Sequence, residues 1–247
     1  MLVDVDVTDR VAVARLANTR RRNALSTPLI NELHRLADRN DISAFVLTGN
    51  GPFFCAGADV TELATNKQST DEAPPPVTLF RRITEDSRPW LAALNGPALG
   101  GGCELALACD FILTTPDAYL RLPEATLGVI PRTAIKLLAG TVHRHLALSL
   151  LLGKTTVTSD LALASGIAAE AHPQDSIVGE TTAFARRLLA TTSPTAFRVI
   201  KESVARDDTL SWRDADELAG RVDRVELHDA VASLQRREAI DYSERWQ

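Results

Sequence analysis

Two periodicities alternate along the first half of the chain. Leu2 to Val7 and Val11 to Leu16 alternate with period two and are rich in β-branched residues. Thr8-Asp9-Arg10 between them has turn composition, so the two runs predict a β-hairpin. Leu29, Ile30, Leu33, Leu36 and Ala37 then recur at helical spacing. Thr27-Pro28 ahead of them reads as an N-cap with proline at the first helical position, which predicts a helix running to about Asp38. Ala44 to Thr48 and Trp90 to Leu94 are short, continuous apolar runs bounded by turn residues, the pattern of strands covered on both faces. Phe111 to Thr114 and Ala118 to Leu120 predict further short strands. Ala64 to Val77 is polar and proline-rich and predicts a mobile surface loop. From about Thr133 the signal turns helical, in residues 143–152, 177–192, 194–206 and 216–242. No internal repeat of fixed period is present. The outline is an α/β core of strand–turn–helix units followed by a helical C-terminal section.

Composition narrows the classes of partner. The chain has 247 residues, 45% of them hydrophobic, enough for one substantial core. Its net charge of −5 argues against nucleic acid and anionic membranes, both of which need concentrated positive charge. Arg20-Arg21-Arg22 is the densest basic run and suits a solvated turn or a small phosphorylated ligand. Cys55, Cys103 and Cys109 sit in apolar surroundings without a paired framework, which fits reduced core thiols. No signal-peptide pattern and no transmembrane-length run is seen, so a soluble, cytoplasmic protein is expected.

Several chemistries fail on spacing. Gly153-Lys154-Thr155 ends like a phosphate loop, but Leu148 stands where the first glycine belongs. Gly100 and Gly102 begin like a dinucleotide fingerprint, but Leu105 occupies the third glycine position. No Gly-x-Ser-x-Gly elbow occurs, and the five histidines show no metal-ligand spacing, so no metal is expected. What remains is two glycine-containing turns after buried strands, each ahead of a helix-capable segment, with glutamates close by. Backbone N–H groups at such a turn lack intrahelical partners, and glycine lets a ligand oxygen approach them. Two converging N–H groups would make an oxyanion hole. Taken alone, the triplet Gly100-Gly101-Gly102 equally suits tight helix–strand packing.

The flanking residues decide between these readings. "VLTGNGPFFCAGADV" (Val46 to Val60), "LNGPALGGGCELALACD" (Leu94 to Asp110) and "LPEATLGVIP" (Leu122 to Pro131) together resemble the enoyl-CoA hydratase/isomerase, or crotonase, superfamily. "RRNAL" (Arg21 to Leu25) and "SPTAFRVIKESV" (Ser193 to Val204) extend the resemblance to nearly the whole chain. It implies a crotonase fold of repeated ββα units over residues 1–190. Residues 191–247 would form a helical region that assembles the chain as a homotrimer or a dimer of trimers.

The resemblance assigns the N–H groups of Ala58 and Gly101 to an oxyanion hole for a thioester. Glu104 would orient and activate water, and Glu124 would be the acid/base at the α-carbon. A pair of carboxyls at one apolar site raises the chance that one stays protonated, as an acid must. Arg22, Ala24, Ala56, Asp59, Arg132, Tyr242 and Arg245 become candidates for contact with the substrate and its coenzyme A. No cofactor is implied, coenzyme A being part of the substrate. The implied reaction is hydration of a trans-2-enoyl-CoA. Isomerisation, hydrolysis or decarboxylation of an acyl-CoA, or non-catalytic acyl-CoA binding, are the alternatives. One departure stands out: after Pro131 the family continues with a small, glycine-rich turn, and here Arg132 follows.

Overall fold

The computed structural model describes residues 1–59, 62, 74–139, 141–204, 236 and 241–246. The chain opens with β1 (Val3–Thr8) and β2 (Val11–Leu16), paired antiparallel with Val3 opposite Leu16. Asp9 and Arg10 turn the hairpin with φ of 51° and 60°, the doubly positive φ that two-residue hairpins need. Next come α1 (Thr27–Ala37), β3 (Ala44–Gly49), α2 (Pro75–Glu85), β4 (Trp90–Leu94), β5 (Ala98–Leu99) and α3 (Gly101–Ala108). They are followed by β6 (Phe111–Thr114), β7 (Tyr119–Arg121), α4 (Arg132–Leu138), α5 (Arg144–Leu151), β8 (Val157–Thr158) and α6 (Ser159–Ala164). The last elements are β9 (Glu170–Ala171), α7 (Ile177–Thr191) and α8 (Pro194–Val204).

Six strands form one sheet in the order β1-β2-β3-β4-β6-β9, parallel from β2 onward. A smaller sheet orders β5-β7-β8. Period-two alternation divides the large sheet between two cores. Ala12, Ala14, Phe45, Leu47, Trp90, Ala92 and Leu94 face α1, α2 and α3. Val11, Val13, Ala44, Val46, Leu91, Ala93 and Leu113 face Ile177, Ala185 and Leu189 of α7, with Phe197 and Trp246. Both faces are therefore covered, as the unbroken apolar runs require.

Three expectations need correction. Thr27 is not the cap of α1: it lies inside the helix, with Ser26 at the N-cap position making no side-chain bond. The Glu62 carboxylate caps the helix instead, accepting from the Thr27 N–H at 2.9 Å and its hydroxyl at 2.7 Å. The loop expected over 64–77 is too long by three residues, because Pro75, Pro76 and Val77 open α2. Its remainder lies mostly outside the described residues, as does nearly all of the helical run expected over 216–242. The two-residue strands β8 and β9 were not anticipated.

In a parallel sheet the loops at the carboxyl ends of the strands gather at one edge, where ligands bind. Here those loops are residues 50–59 after β3 and 95–100 after β4. Asn95 ties them together. Its Oδ1 accepts from the Gly49 N–H (2.9 Å) and the Thr48 hydroxyl (3.1 Å), and its Nδ2 donates to the Gly51 carbonyl (3.0 Å).

The opposite edge carries a buried ionic cluster. Lys201 of α8 donates to Asp110 (2.9 Å) and to the carbonyls of Ile83 (3.1 Å) and Arg88 (3.4 Å). Burial pushes Asp110 up to about 6, against the pull of Lys201.

Candidate active site

The two glycine-containing turns meet at the carboxyl edge. Cys55 bridges Ala98 and Leu25 bridges Ala58, both in parallel fashion, so residues 55–58 lie between residues 22–25 and 98–101. Gly57 has φ of 95°, and a methyl group there would lie 2.6 Å from the Leu99 carbonyl oxygen. Gly100, with φ of 53°, caps α3 and sits where a methyl group would meet Glu124 Oε1 at 2.8 Å. Gly102 serves packing: a methyl group would fall 2.2 Å from the Cys55 carbonyl oxygen. The triplet thus combines a tight helix–strand contact at Gly102 with a left-handed cap at Gly100.

Between these contacts lie the N–H groups of Ala58 and Gly101. A methyl group on Gly101 would be only 3.5 Å from Ala58 N, so the two backbones approach closely. Neither N–H donates to a backbone carbonyl outside regular helix and strand bonding among the described residues. Gly101 is the first residue of α3, so its N–H has no partner within that helix.

The two acids approach from different elements. Glu104 lies in the first turn of α3 and is buried. Its Oε1 accepts from the N–H groups of Thr133 and Ala134, both at 3.0 Å, at the start of α4. Glu124 opens a 3-10 turn over Glu124–Leu127, and its Oε2 is buried without a hydrogen-bond partner among the described residues. Burial raises the pKa of both carboxyls. For Glu104 that rise is opposed by the Ala134 and Thr133 N–H groups and the Arg132 charge. For Glu124 only its own backbone opposes it, and the Glu104 charge adds to it. Both carboxyls are thus held toward their protonated forms, Glu104 against two N–H donors and a nearby cation, Glu124 beside the Glu104 charge. The buried Cys103 thiol is raised by burial and then by both glutamates, which leaves it inert.

The remaining candidates divide into three groups. Arg22, Ala24, Ala56 and Asp59 cluster beside Ala58. Ala56 N–H donates to the Arg22 carbonyl (2.9 Å), Leu25 N–H to the Gly57 carbonyl (2.7 Å), and the Arg22 guanidinium lies 5.1 Å from the Phe53 ring centre. Asp59 is buried and paired with Arg21, so here it positions an arginine.

Arg132 is exposed at the first position of α4, and its charge acts on Glu104. Tyr242 and Arg245 are not brought to this edge within the chain. Tyr242 N–H donates to the Ala190 carbonyl (2.8 Å) at the end of α7, on the face of the sheet opposite α3.

The donors that hold Glu104, Thr133 and Ala134, were not singled out from sequence. Pro131, a helix-start signal, was the available clue. Among the described residues no group of three potential metal-ligating side chains occurs, and no helix is long and apolar enough to cross a membrane.

The enoyl-CoA hydratase/isomerase family profile matches residues 6–246. The chain is 32% identical over 216 residues to the 2,3-dehydroadipyl-CoA hydratase of Escherichia coli K12, covering 87% of this chain and 82% of that protein. It is 32% identical over 211 residues to the probable enoyl-CoA hydratase echA8 of Mycobacterium tuberculosis, covering 83% and 81%. Among solved structures, an enoyl-CoA hydratase from Bacillus anthracis superposes with a TM-score of 0.84 at 26% identity, over 98% of this chain and 99% of that one. The chain has the crotonase fold and belongs to the enoyl-CoA hydratase/isomerase family.

Proposed function

We propose that this protein is an enoyl-CoA hydratase, adding water reversibly and with syn geometry across the double bond of a trans-2-enoyl-CoA. The observation that carries this reading is a pair of glutamates, Glu104 buried and Glu124 half-buried, beside one glycine-rich turn. Burial raises the pKa of both carboxyls; Glu104 Oε1 accepts from two N–H groups, whereas Glu124 Oε2 has no hydrogen-bond partner among the described residues.

In the forward direction Glu104 takes a proton from a water molecule, whose oxygen bonds to the β-carbon. The π electrons move onto the thioester oxygen. The N–H groups of Ala58 and Gly101 stabilise that enolate, an effect of about 3–4 kcal/mol per donor. The enolate then takes the Glu124 proton at the α-carbon, giving the 3-hydroxyacyl-CoA. The Arg132 N–H, one residue before the donors to Glu104, has no hydrogen bond among the described residues and suits a water molecule held against that carboxylate.

Loss of the conjugated thioester absorbance across a series of enoyl-CoA chain lengths tests the reaction. Glu104→Gln and Glu124→Gln should each lower kcat by about 10²–10⁴-fold, the range of general acid–base catalysis. Isomerase chemistry would leave Glu104→Gln mild and Glu124→Gln severe. A Glu104→Gln variant as active as wild type on every enoyl-CoA ends the hydratase reading. Assembly as a homotrimer or a dimer of trimers remains part of the proposal, and sedimentation of a stable, active monomer would remove it.

A further inference from the structure

Arg132 is placed where local physics disfavours it. It occupies the first position of α4, whose first turn contains no acid, so its charge faces the positive end of the helix dipole. Lys136 stands four residues on, and like charges at that spacing repel. The side chain is exposed and makes no ion pair among the described residues, and Val129, Ile130 and Ile135 around it in sequence are exposed too. Yet this guanidinium lies within electrostatic range of Glu104, whose carboxylate is bonded by the next two N–H groups. A residue that opposes its own helix, beside a candidate catalytic group, breaks local consistency in the way functional positions do.

We infer that Arg132 recognises an anionic group at the acyl end of the substrate, so that the site takes short acyl-CoA thioesters ending in a carboxylate. A guanidinium offers the planar pair of donors that matches a carboxylate, and its exposed sequence neighbours Val129, Ile130 and Ile135 are apolar surface of the kind a methylene chain would cover. Glu104 marks the β-carbon end of the substrate in the proposed reaction, so an anion reaching Arg132 lies beyond that carbon. The coenzyme A phosphates are the other source of negative charge. The inference rests on the acyl-CoA reading of the site.

The test uses saturated thioesters, which bind but cannot add water, so it is independent of turnover. Affinities of adipyl-CoA, hexanoyl-CoA and free coenzyme A are measured by calorimetry on the intact protein and on Arg132→Ala and Arg132→Lys. Wild type should prefer adipyl-CoA over hexanoyl-CoA by about tenfold or more, Arg132→Ala should erase the preference, and Arg132→Lys should restore part of it. Equal affinity of wild type for the two thioesters overturns the inference. Equal losses for all three ligands in Arg132→Ala assign the arginine to the phosphates and overturn it too. Preserved discrimination without turnover of any 2-enoyl-CoA would instead defeat the hydratase reading and leave this one standing.

Discussion

Glu124 carries its functional poise as a stability cost. Burial and the neighbouring Glu104 charge hold its proton to higher pH than in the unfolded chain. Stability linked to such a group is complete below the unfolded value and is lost as pH rises through the folded one. Glu124→Gln has nothing to ionise. It should melt above wild type at neutral pH, with the gap closing as pH falls toward the ordinary carboxylate range, about 4. Melting curves at several pH values check this, and a gap that widens on acidification refutes it.

The glycine triplet allows a second separation of roles. Gly102→Ala drives a methyl group against the Cys55 carbonyl and should cost about 1–3 kcal/mol or more. Gly101→Ala meets its neighbours at 3.5 Å and should fold, while crowding the space between the two N–H groups. Its kcat should fall by about 10²-fold, as when one oxyanion donor is lost. That the triplet forms a tight turn and that Glu104 opens the helix behind it were readable from sequence, because both are local features. The acceptor role of Glu104 toward Thr133 and Ala134 was not, because it joins segments about thirty residues apart (|i−j| of 29 and 30).

Elements were legible where a period had room to repeat. The hairpin, α1, β3, β4 and β6 emerged from apolar spacing with ends within a residue or so. At two residues each, β8 and β9 show no period at all. The start of α2 was hidden by Pro74-Pro75-Pro76, which reads as loop. Proline is nonetheless favourable in a first turn, where the N–H would have no helical partner anyway.

Beside its buried Phe197 and Val199, α8 is tied to the sheet by Lys201. Lys201→Met would leave Asp110 buried without its partner, at a cost of about 3–5 kcal/mol. Asp110→Asn added to that variant should recover much of the loss. Chemical denaturation of Lys201→Met, Asp110→Asn and the double variant measures the coupling, and additive effects would show that the pair is not coupled.

At the scale of the molecule, the parallel sheet sends the loops of the candidate site to one edge and its ionic cluster to the other. Chemistry and anchorage therefore occupy separate ends of the same strands. The face opposite the candidate site is closed by Trp246. Its indole N–H donates to the Leu189 carbonyl (2.9 Å), and its own carbonyl accepts from Arg10 and Ser43. Trp246→Ala should cost about 3–5 kcal/mol. The loss should appear in Tm, with little change in KM because no residue of the candidate site touches the indole.

That seam joins residues 203 positions apart in sequence, between Ser43 and Trp246. Contacts of such separation are reached only after the intervening chain has been ordered, because closing a long loop comes before its reward. On a ribosome, moreover, Trp246 emerges after every strand of both sheets has been made. The two glycine-containing turns and both glutamates should therefore be assembled in a folding intermediate whose α7 face is still open. In pulsed hydrogen exchange, amides of β3 and β4 should gain protection before the Trp246 indole N–H does. Simultaneous protection would instead describe a molecule that closes in one step.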